Sequence, residues 1–458
     1  MEKEISSRFK QALVVVFVLA IVIRTAVFAG LLYYGGPDAL VLGDSRHYLE
    51  LAEHVISGEG YVYEGIPETY RAPGYPAYLL IFVATGMPLI VASLIQIFVA
   101  SLIPVATLWF CFRRLRIPLR ISIVAALAVA FEPTMVYYSV VLMPDVFFSV
   151  LTLIAAWCFV RWCDTPRVMF LISTGVCIGL ANYFRPAGLY LGLGLAFLGV
   201  IVLAYRRMLQ TKLALSLVLV PLVALVIMSP WYIRNSVMFG ATEFVASKTT
   251  NLFNYGAVAT LAAAEGRDYA IVKKELVERA RREAPDPNLT SFADTEYLTN
   301  VSKEIIFQHP KEYVTTYLLG LNTFWFSGNY HYLLGRYGII ERPERATSFS
   351  LVLASEGPLG LVQAVMRTLD GYVAIAIVGK VFWVVVGMLA LLGLWVRRRT
   401  PDAWVTVLLV AYFSATLIGT TIGVEARHRY ALNPLLFAFA AVTVYALYAY
   451  YLHRRPRL

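Results

Sequence analysis

Six stretches of this chain bring carboxylates, guanidiniums and tyrosines close together. They are Gly43-Asp44-Ser45-Arg46-His47-Tyr48, Tyr70-Arg71-Ala72-Pro73-Gly74-Tyr75-Pro76, the run from Glu132 to Asp145, Arg185-Pro186, the run from Pro230 to Gly240 with Arg234, and Glu425-Ala426-Arg427-His428-Arg429-Tyr430. A guanidinium stays charged, and its planar fork matches phosphate oxygens. A carboxylate near a hydroxyl can take its proton. The two together suit displacement at a phosphate-bearing carbon. The guanidiniums neutralise the phosphate as it leaves, while the carboxylate activates the attacking hydroxyl. The four cysteines and six histidines show no metal-box spacing.

These residues must be positioned by a membrane protein. The 458 residues are 59% hydrophobic and 15% charged, and mean hydropathy is +0.68. A soluble chain is about 45–50% apolar and about 25% charged. A soluble enzyme, a disordered tail and a secreted disulfide scaffold are all excluded. Runs of about 20 apolar residues cross the hydrocarbon core. Ten occur: 11–34, 89–111, 120–141, 145–162, 168–184, 186–204, 213–231, 372–396, 402–422 and 431–452.

Alternate ends of these runs are basic. One set of ends carries eighteen Lys and Arg against four Asp and Glu, a balance of +14 within a net charge of +10. This is the positive-inside pattern, so it does not signal a nucleic-acid partner. Both termini are expected in the cytoplasm. Two long segments face outward, 35–88 and 232–371. The second is read as mainly helical, with a charged, periodic middle over 262–312. EYVTTYLLGLNTFWF and LVQAVMRTL are too short to span and suit helices at the interface. The expected fold is all-α and polytopic. It divides into a 1–231 membrane module carrying the 35–88 loop, an outer domain over 232–371, and a three-helix module over 372–458.

Ionisable groups at membrane depth are costly. Arg24, Glu132, Asp145, Arg185, Arg234 and Glu425 are such groups, and all but Arg24 fall near the outer ends of spans. With the first loop they could form one outer cleft for a sugar on a lipid phosphate. Plainer uses stand beside this. Asp44 suits the N-cap of a helix over 45–57, and Asp145 suits a helix start. Glu132 marks a span end. Arg71, Arg185 and Arg234 suit headgroup anchoring, and Glu425 with Arg427 suits a surface ion pair. His47 and His428 read as bystanders, and Trp231 as a belt residue.

The pattern Asp44, Tyr48, Ala52, Gly58, then Arg71-Ala72-Pro73-Gly74-Tyr75-Pro76 resembles GT-C glycosyltransferases. The similarity is to the bacterial branch of protein mannosyltransferases, lipid A aminoarabinose transferases and lipopolysaccharide galacturonosyltransferases. Pro133, Tyr137, Tyr138, Ser139 and Asp145 continue it, as do Pro230 to Gly240 and Glu425, Arg427 and Tyr430. Arg71 stands where the aminoarabinose branch has Lys. The resemblance covers about the first 250 residues and, loosely, the last 40.

It implies a GT-C-like fold and an inverting transfer of a sugar from a polyprenyl-phosphate carrier. The acceptor would be a hydroxyl on a glycan, lipid or protein at the periplasmic face of a bacterial inner membrane. Asp44 and Asp145 would be catalytic. Arg46, Tyr48, Arg71, Tyr75, Tyr138, Arg185, Arg234, Glu425 and Arg427 would bind substrate. It assigns no certain cofactor. A divalent ion (Mg²⁺, Mn²⁺ or Zn²⁺) shared by Asp44 and Asp145 stays open. The alternative is a transporter or flippase of a lipid-linked sugar, but paired broken helices and midplane charges are not evident.

Overall fold

A computed structural model describes residues 2–286, 289–328, 330–340, 359–360, 362–363, 366 and 371–454. The first part runs α1 (Glu2–Gly35), α2 (Gly43–Ser57), a hairpin of β1 (Val62–Tyr63) and β2 (Ile66–Pro67), α3 (Gly74–Thr85), α4 (Leu89–Trp109), α5 (Leu119–Phe131), α6 (Pro133–Val140), α7 (Asp145–Asp164), α8 (Val168–Phe184), α9 (Leu191–Tyr205), α10 (Thr211–Ser216) and α11 (Leu219–Phe239). The second part is α12 (Ser247–Asn251), α13 (Val258–Glu265), α14 (Tyr269–Glu283), α15 (Thr295–Gln308), α16 (Pro310–Phe326) and α17 (Tyr330–Arg336). Then come α18 (Gly371–Val396), α19 (Pro401–Thr416) and α20 (Asn433–Arg454). The protein is all-α, as the apolar runs predict.

Among the described residues, eight helices are long and apolar enough to span: Ser6–Gly35, Leu89–Arg114, Asp145–Asp164, Pro186–Tyr205, Thr211–Phe239, Val373–Val396, Pro401–Gly419 and Asn433–Leu452. The expected single span over 120–141 is instead α5 and α6, bent by 49°. The cause is local. A residue before proline is pushed out of the helical region, and Glu132 is extended at φ −60°, ψ 119°. Its carboxylate then caps α6 by accepting the Met135 N–H at 2.7 Å.

The expected span over 168–184 is α8, whose 17 residues fall just short of the others. Two contacts fix its direction. Arg185, at the end of α8, binds Asp145 at the start of α7, so α8 runs back along the length of α7. At the basic end, Arg114 bonds both Asp164 and Asp402. Residues 164 and 402 therefore lie at the same end of the helix bundle.

The helices pack as α1 with α4 and α5, α7 with α8, α8 with α11, and α18 with α20, which also meets α5. α3 lies across α2, α4 and α8 at the other end. It starts at Gly74, where a Cβ would stand 2.6 Å from the Tyr183 carbonyl oxygen, so glycine permits this approach. α11 continues past residue 231 to Phe239. Within 232–371, α13, α14 and α15 share a small core of Phe253, Val258, Val272, Leu276 and Leu298. α14 realises the charged periodic stretch, and α16 realises EYVTTYLLGLNTFWF. LVQAVMRTL falls largely outside the described residues.

Candidate active site

The end opposite the Arg114 cluster gathers the chemistry. α2 starts at Gly43, one residue before Asp44. Asp44 is therefore not the N-cap; the Leu42 N–H donates to Ser45 Oγ at 3.0 Å instead. Ser45 Oγ donates in turn to the Leu142 carbonyl at 2.7 Å, and the Leu142 N–H donates to the Leu40 carbonyl at 2.9 Å. These bonds dock the first loop on the 141–144 linker that leads into Asp145.

Asp44 is thus free to face two guanidiniums. Arg71 Nη2 lies 2.7 Å from Oδ1, and Arg427 Nη2 lies 2.9 Å from Oδ2. Arg427 Nε is 3.0 Å from Glu425 Oε2, and the Tyr138 hydroxyl donates to the same oxygen at 3.1 Å. Tyr48 sits under Arg71, its ring centroid 5.1 Å from the guanidinium. Burial pushes the Asp44 carboxyl up, but Arg71 and Arg427 outweigh it and hold it well below the carboxylate range. Partly exposed, at 32% of its side chain, it is an ionised group open to a ligand.

A second pair lies beside this one. Asp145, 1% exposed, is bound by Arg185, while its Oδ2 has no hydrogen-bond partner among the described residues. Arg427 Nη1 reaches Met143 Sδ at 3.9 Å, two residues before Asp145. His428 lies between the pairs. Burial, then Arg185 and Arg427, hold its imidazole well below its ordinary pKa, so it is neutral.

Other candidates stand apart. Tyr75 is fully buried, and its hydroxyl bonds Gln96 Oε1 at 3.0 Å. Arg234 donates to the Glu68 carbonyl at 2.8 Å and lies 4.5 Å over Trp231, so it braces the backbone behind Arg71. Arg46 lines a different groove on the other face of α2, about 430 Å³ in volume, with Glu50, Glu53, Leu89 and Ile90.

Two contributors went unread in the sequence. Glu68, 4% exposed, accepts the Tyr70 and Arg71 N–H groups. Tyr255 comes from a π-helical turn, Leu252–Ala257, between α12 and α13. Its ring lies where a Cβ on Gly423 would come within 2.5 Å. Burial, then the charges of Asp44 and Glu425, push its phenol up. Neither has a periodic or motif signal; a loop carboxylate and a lone tyrosine look alike everywhere in this sequence.

A metal centre needs several hard donors. Among the described residues, no three His, Cys, Asp or Glu gather into such a set. Both Asp44 oxygens are engaged by guanidiniums, and Asp145 by Arg185. Among the described residues the donor set does not assemble a metal site.

Residues 71–233 match the family described as dolichyl-phosphate-mannose-protein mannosyltransferase. No curated protein matches the chain. The family match supports a glycosyltransferase of the GT-C type. It contains Arg71, Tyr75, Tyr138, Asp145 and Arg185. Asp44, Arg46, Tyr48, Arg234, Glu425 and Arg427 lie outside it, and the ion pairs of Asp44 with Arg71 and of Arg427 with Asp44 and Glu425 tie three of them to the matched region.

Proposed function

We propose that the protein transfers one sugar from a polyprenyl phosphate to an acceptor hydroxyl with inversion. The carrying observation is Asp44 held between Arg71 and Arg427 at the end of the bundle opposite the Arg114 cluster. The matched family name combines a dolichyl-phosphate sugar with a protein acceptor. A lipid-phosphate donor for this chain rests on that likeness and on the guanidinium cluster. The basic opposite end supports a periplasmic site under the positive-inside rule. The acceptor is a hydroxyl on a glycan, lipid or protein.

In the free protein Asp44 is a poor base, because two guanidiniums hold its charge. An entering phosphate competes for Arg71 and Arg427. As they turn to its oxygens, Asp44 loses its stabilisation and gains basicity. It then takes the proton of the acceptor hydroxyl, whose oxygen bonds the anomeric carbon. The bond from that carbon to the phosphate oxygen breaks, and both electrons leave with the phosphate. Arg71, Arg427 and Arg185 balance the charge on that phosphate. Arg234, Tyr48, Tyr75, Tyr138 and Glu425 shape or brace the pocket, Tyr138 and Glu425 as polar partners for sugar hydroxyls, while Arg46 lines the separate groove on the other face of α2. Asp145 holds Arg185 towards it.

The test uses proteoliposomes and a panel of polyprenyl-phosphate sugars. Release of polyprenyl phosphate together with a glycosylated acceptor is expected, and Asp44→Asn should slow both about 10²–10⁴-fold. Movement of intact donor across the bilayer without release would instead make the protein a transporter.

A further inference from the structure

We infer that Glu68 is a positioning residue that sets where Arg71 meets Asp44. The inference rests on the proposed reading of Arg71 as a phosphate-holding group. Glu68 never touches the Arg71 guanidinium; it acts on the backbone that carries it. One carboxylate oxygen accepts the Arg71 N–H at 2.8 Å and also the Tyr70 N–H. The other contacts His47 Nε2. His47 belongs to α2, three positions beyond Asp44, and its ring stacks on Tyr63 with centroids 3.7 Å apart. One side chain thus ties both halves of the Asp44–Arg71 pair.

The surrounding bonds fix Glu68 itself. Its N–H donates to the Tyr61 carbonyl at 2.9 Å, and its carbonyl accepts Arg234 Nη1 at 2.8 Å. Thr69 Oγ1 donates to the Thr290 carbonyl at 2.7 Å, and the Thr69 carbonyl accepts the Ala246 N–H at 2.8 Å. Tyr70 OH donates to Asn251 Oδ1 at 2.9 Å. The segment 68–71 is therefore held from α2, α11 and the outer domain at once. A carboxylate in a solvated loop gains little from such partners. This one is buried, and a buried charge must be paired and hydrogen-bonded to persist. Burial pushes its carboxyl up, but His47 and the two N–H groups outweigh that and lower it. It is an ionised, fully used group. The reach of Arg71 depends on it because these bonds fix the backbone from which the guanidinium extends.

The experiment uses the full chain in nanodiscs, with polyprenyl monophosphate and the matching polyprenol as probes. Glu68→Gln should weaken phosphate binding about tenfold, one charge-assisted bond's worth, and leave polyprenol binding unchanged. In an Arg71→Ala background the same substitution should add nothing, since coupled residues are not additive. Multiplying losses, or wild-type affinity in Glu68→Gln, overturns the inference. His47→Phe keeps a ring on Tyr63 but cuts the bond. It should show a smaller loss in the same direction, and it carries the same cycle if Glu68→Gln does not fold. Amide exchange decides the clasp independently. Peptides covering 68–73 should exchange faster in Glu68→Gln while α7 does not, and unchanged exchange at 70–71 sinks it. If wild type binds phosphate and polyprenol alike, the functional reading fails and the exchange result still stands.

Discussion

The two ends of the bundle use the same chemistry in opposite ways. At the basic end one guanidinium, Arg114, sits between two carboxylates. Its Nη1 is 2.6 Å from Asp164, and its Nε and Nη2 are 2.8 and 2.9 Å from Asp402. Every nitrogen is used, and three helix ends are stapled. At the other end one carboxylate, Asp44, sits between two guanidiniums. There Arg71 Nε has no hydrogen-bond partner among the described residues, and Arg427 Nε meets only Glu425 Oε2, as an ion pair at 3.0 Å. Arg71 Nη1 has only a long 3.4 Å bond to Tyr48, and Arg427 Nη1 only a sulfur. A saturated cluster holds the fold together. An unsaturated one can still bind an anion, and that difference separates a staple from a site.

The largest effect should come from the member that has no counterpart at the basic end. Asp44→Asn keeps the shape and removes the basicity. Turnover should fall about 10²–10⁴-fold, the usual range for acid–base help, while carrier lipid still binds. Near-wild-type turnover would sink Asp44 as the base. Asp164→Asn should lower the thermal midpoint and leave turnover near normal.

Next come the arginines. Arg71→Ala should cost carrier-phosphate affinity about 10–100-fold, matching the roughly 1.5–3 kcal/mol of a charged hydrogen bond. Arg427→Ala should do the same. Arg114→Ala should cost a similar amount in stability and nothing in affinity. Affinities measured at constant detergent, beside melting curves, check both arms. If all three variants lose stability and keep affinity, both clusters are staples.

This contrast was only half visible in the sequence. The bilayer imposes a length and a charge rule, so apolar runs and Lys/Arg sidedness located the spans and put Asp44, Arg71 and Glu425 at one end. Contact was not legible: Asp44 and Arg427 are 383 positions apart, and only the fold closes that distance. The bend at Glu132 was hidden because hydropathy averages over Pro133. The cap was misread because Gly-Asp-Ser offers two side chains, and Ser45 won by bonding both the Leu42 N–H and the Leu142 carbonyl. Glu68 left no trace, since its partners are backbone amides and a histidine 21 positions earlier.

A smaller effect separates free from occupied sites. A carboxyl whose folded pKa is lowered stabilises the fold above its unfolded value, about 3.9. That contribution is lost only as pH falls through the lower folded value. The free site should therefore keep its Asp44 clamp throughout the ordinary carboxylate range. Once phosphate takes the guanidiniums, the Asp44 pKa should rise. The acid limb of kcat/KM reports the free protein, and that of kcat reports the complex. The kcat limb should lie at the higher pH. Coincident limbs would mean the arginines never leave Asp44.

The smallest effect is expected from removing metal. Two carboxylates close together raise each other's pKa unless a cation intervenes. At this site guanidiniums already fill that role, since Arg71 and Arg427 neutralise Asp44 and Arg185 neutralises Asp145. A phosphate entering such a cluster is balanced without a divalent ion. Exhaustive chelation should therefore leave turnover unchanged, and add-back of Mg²⁺, Mn²⁺ or Zn²⁺ should do nothing more. If one of those ions restores activity lost on chelation, the arginines are insufficient. Asp145→Asn should then mimic the chelated enzyme, because the unpaired Asp145 Oδ2 would be the ligand the ion needs. If chelation changes nothing, Asp145→Asn should weaken carrier binding through a displaced Arg185. Reading the two experiments together tells whether the site differs from the basic end by its free guanidinium donors or by an ion.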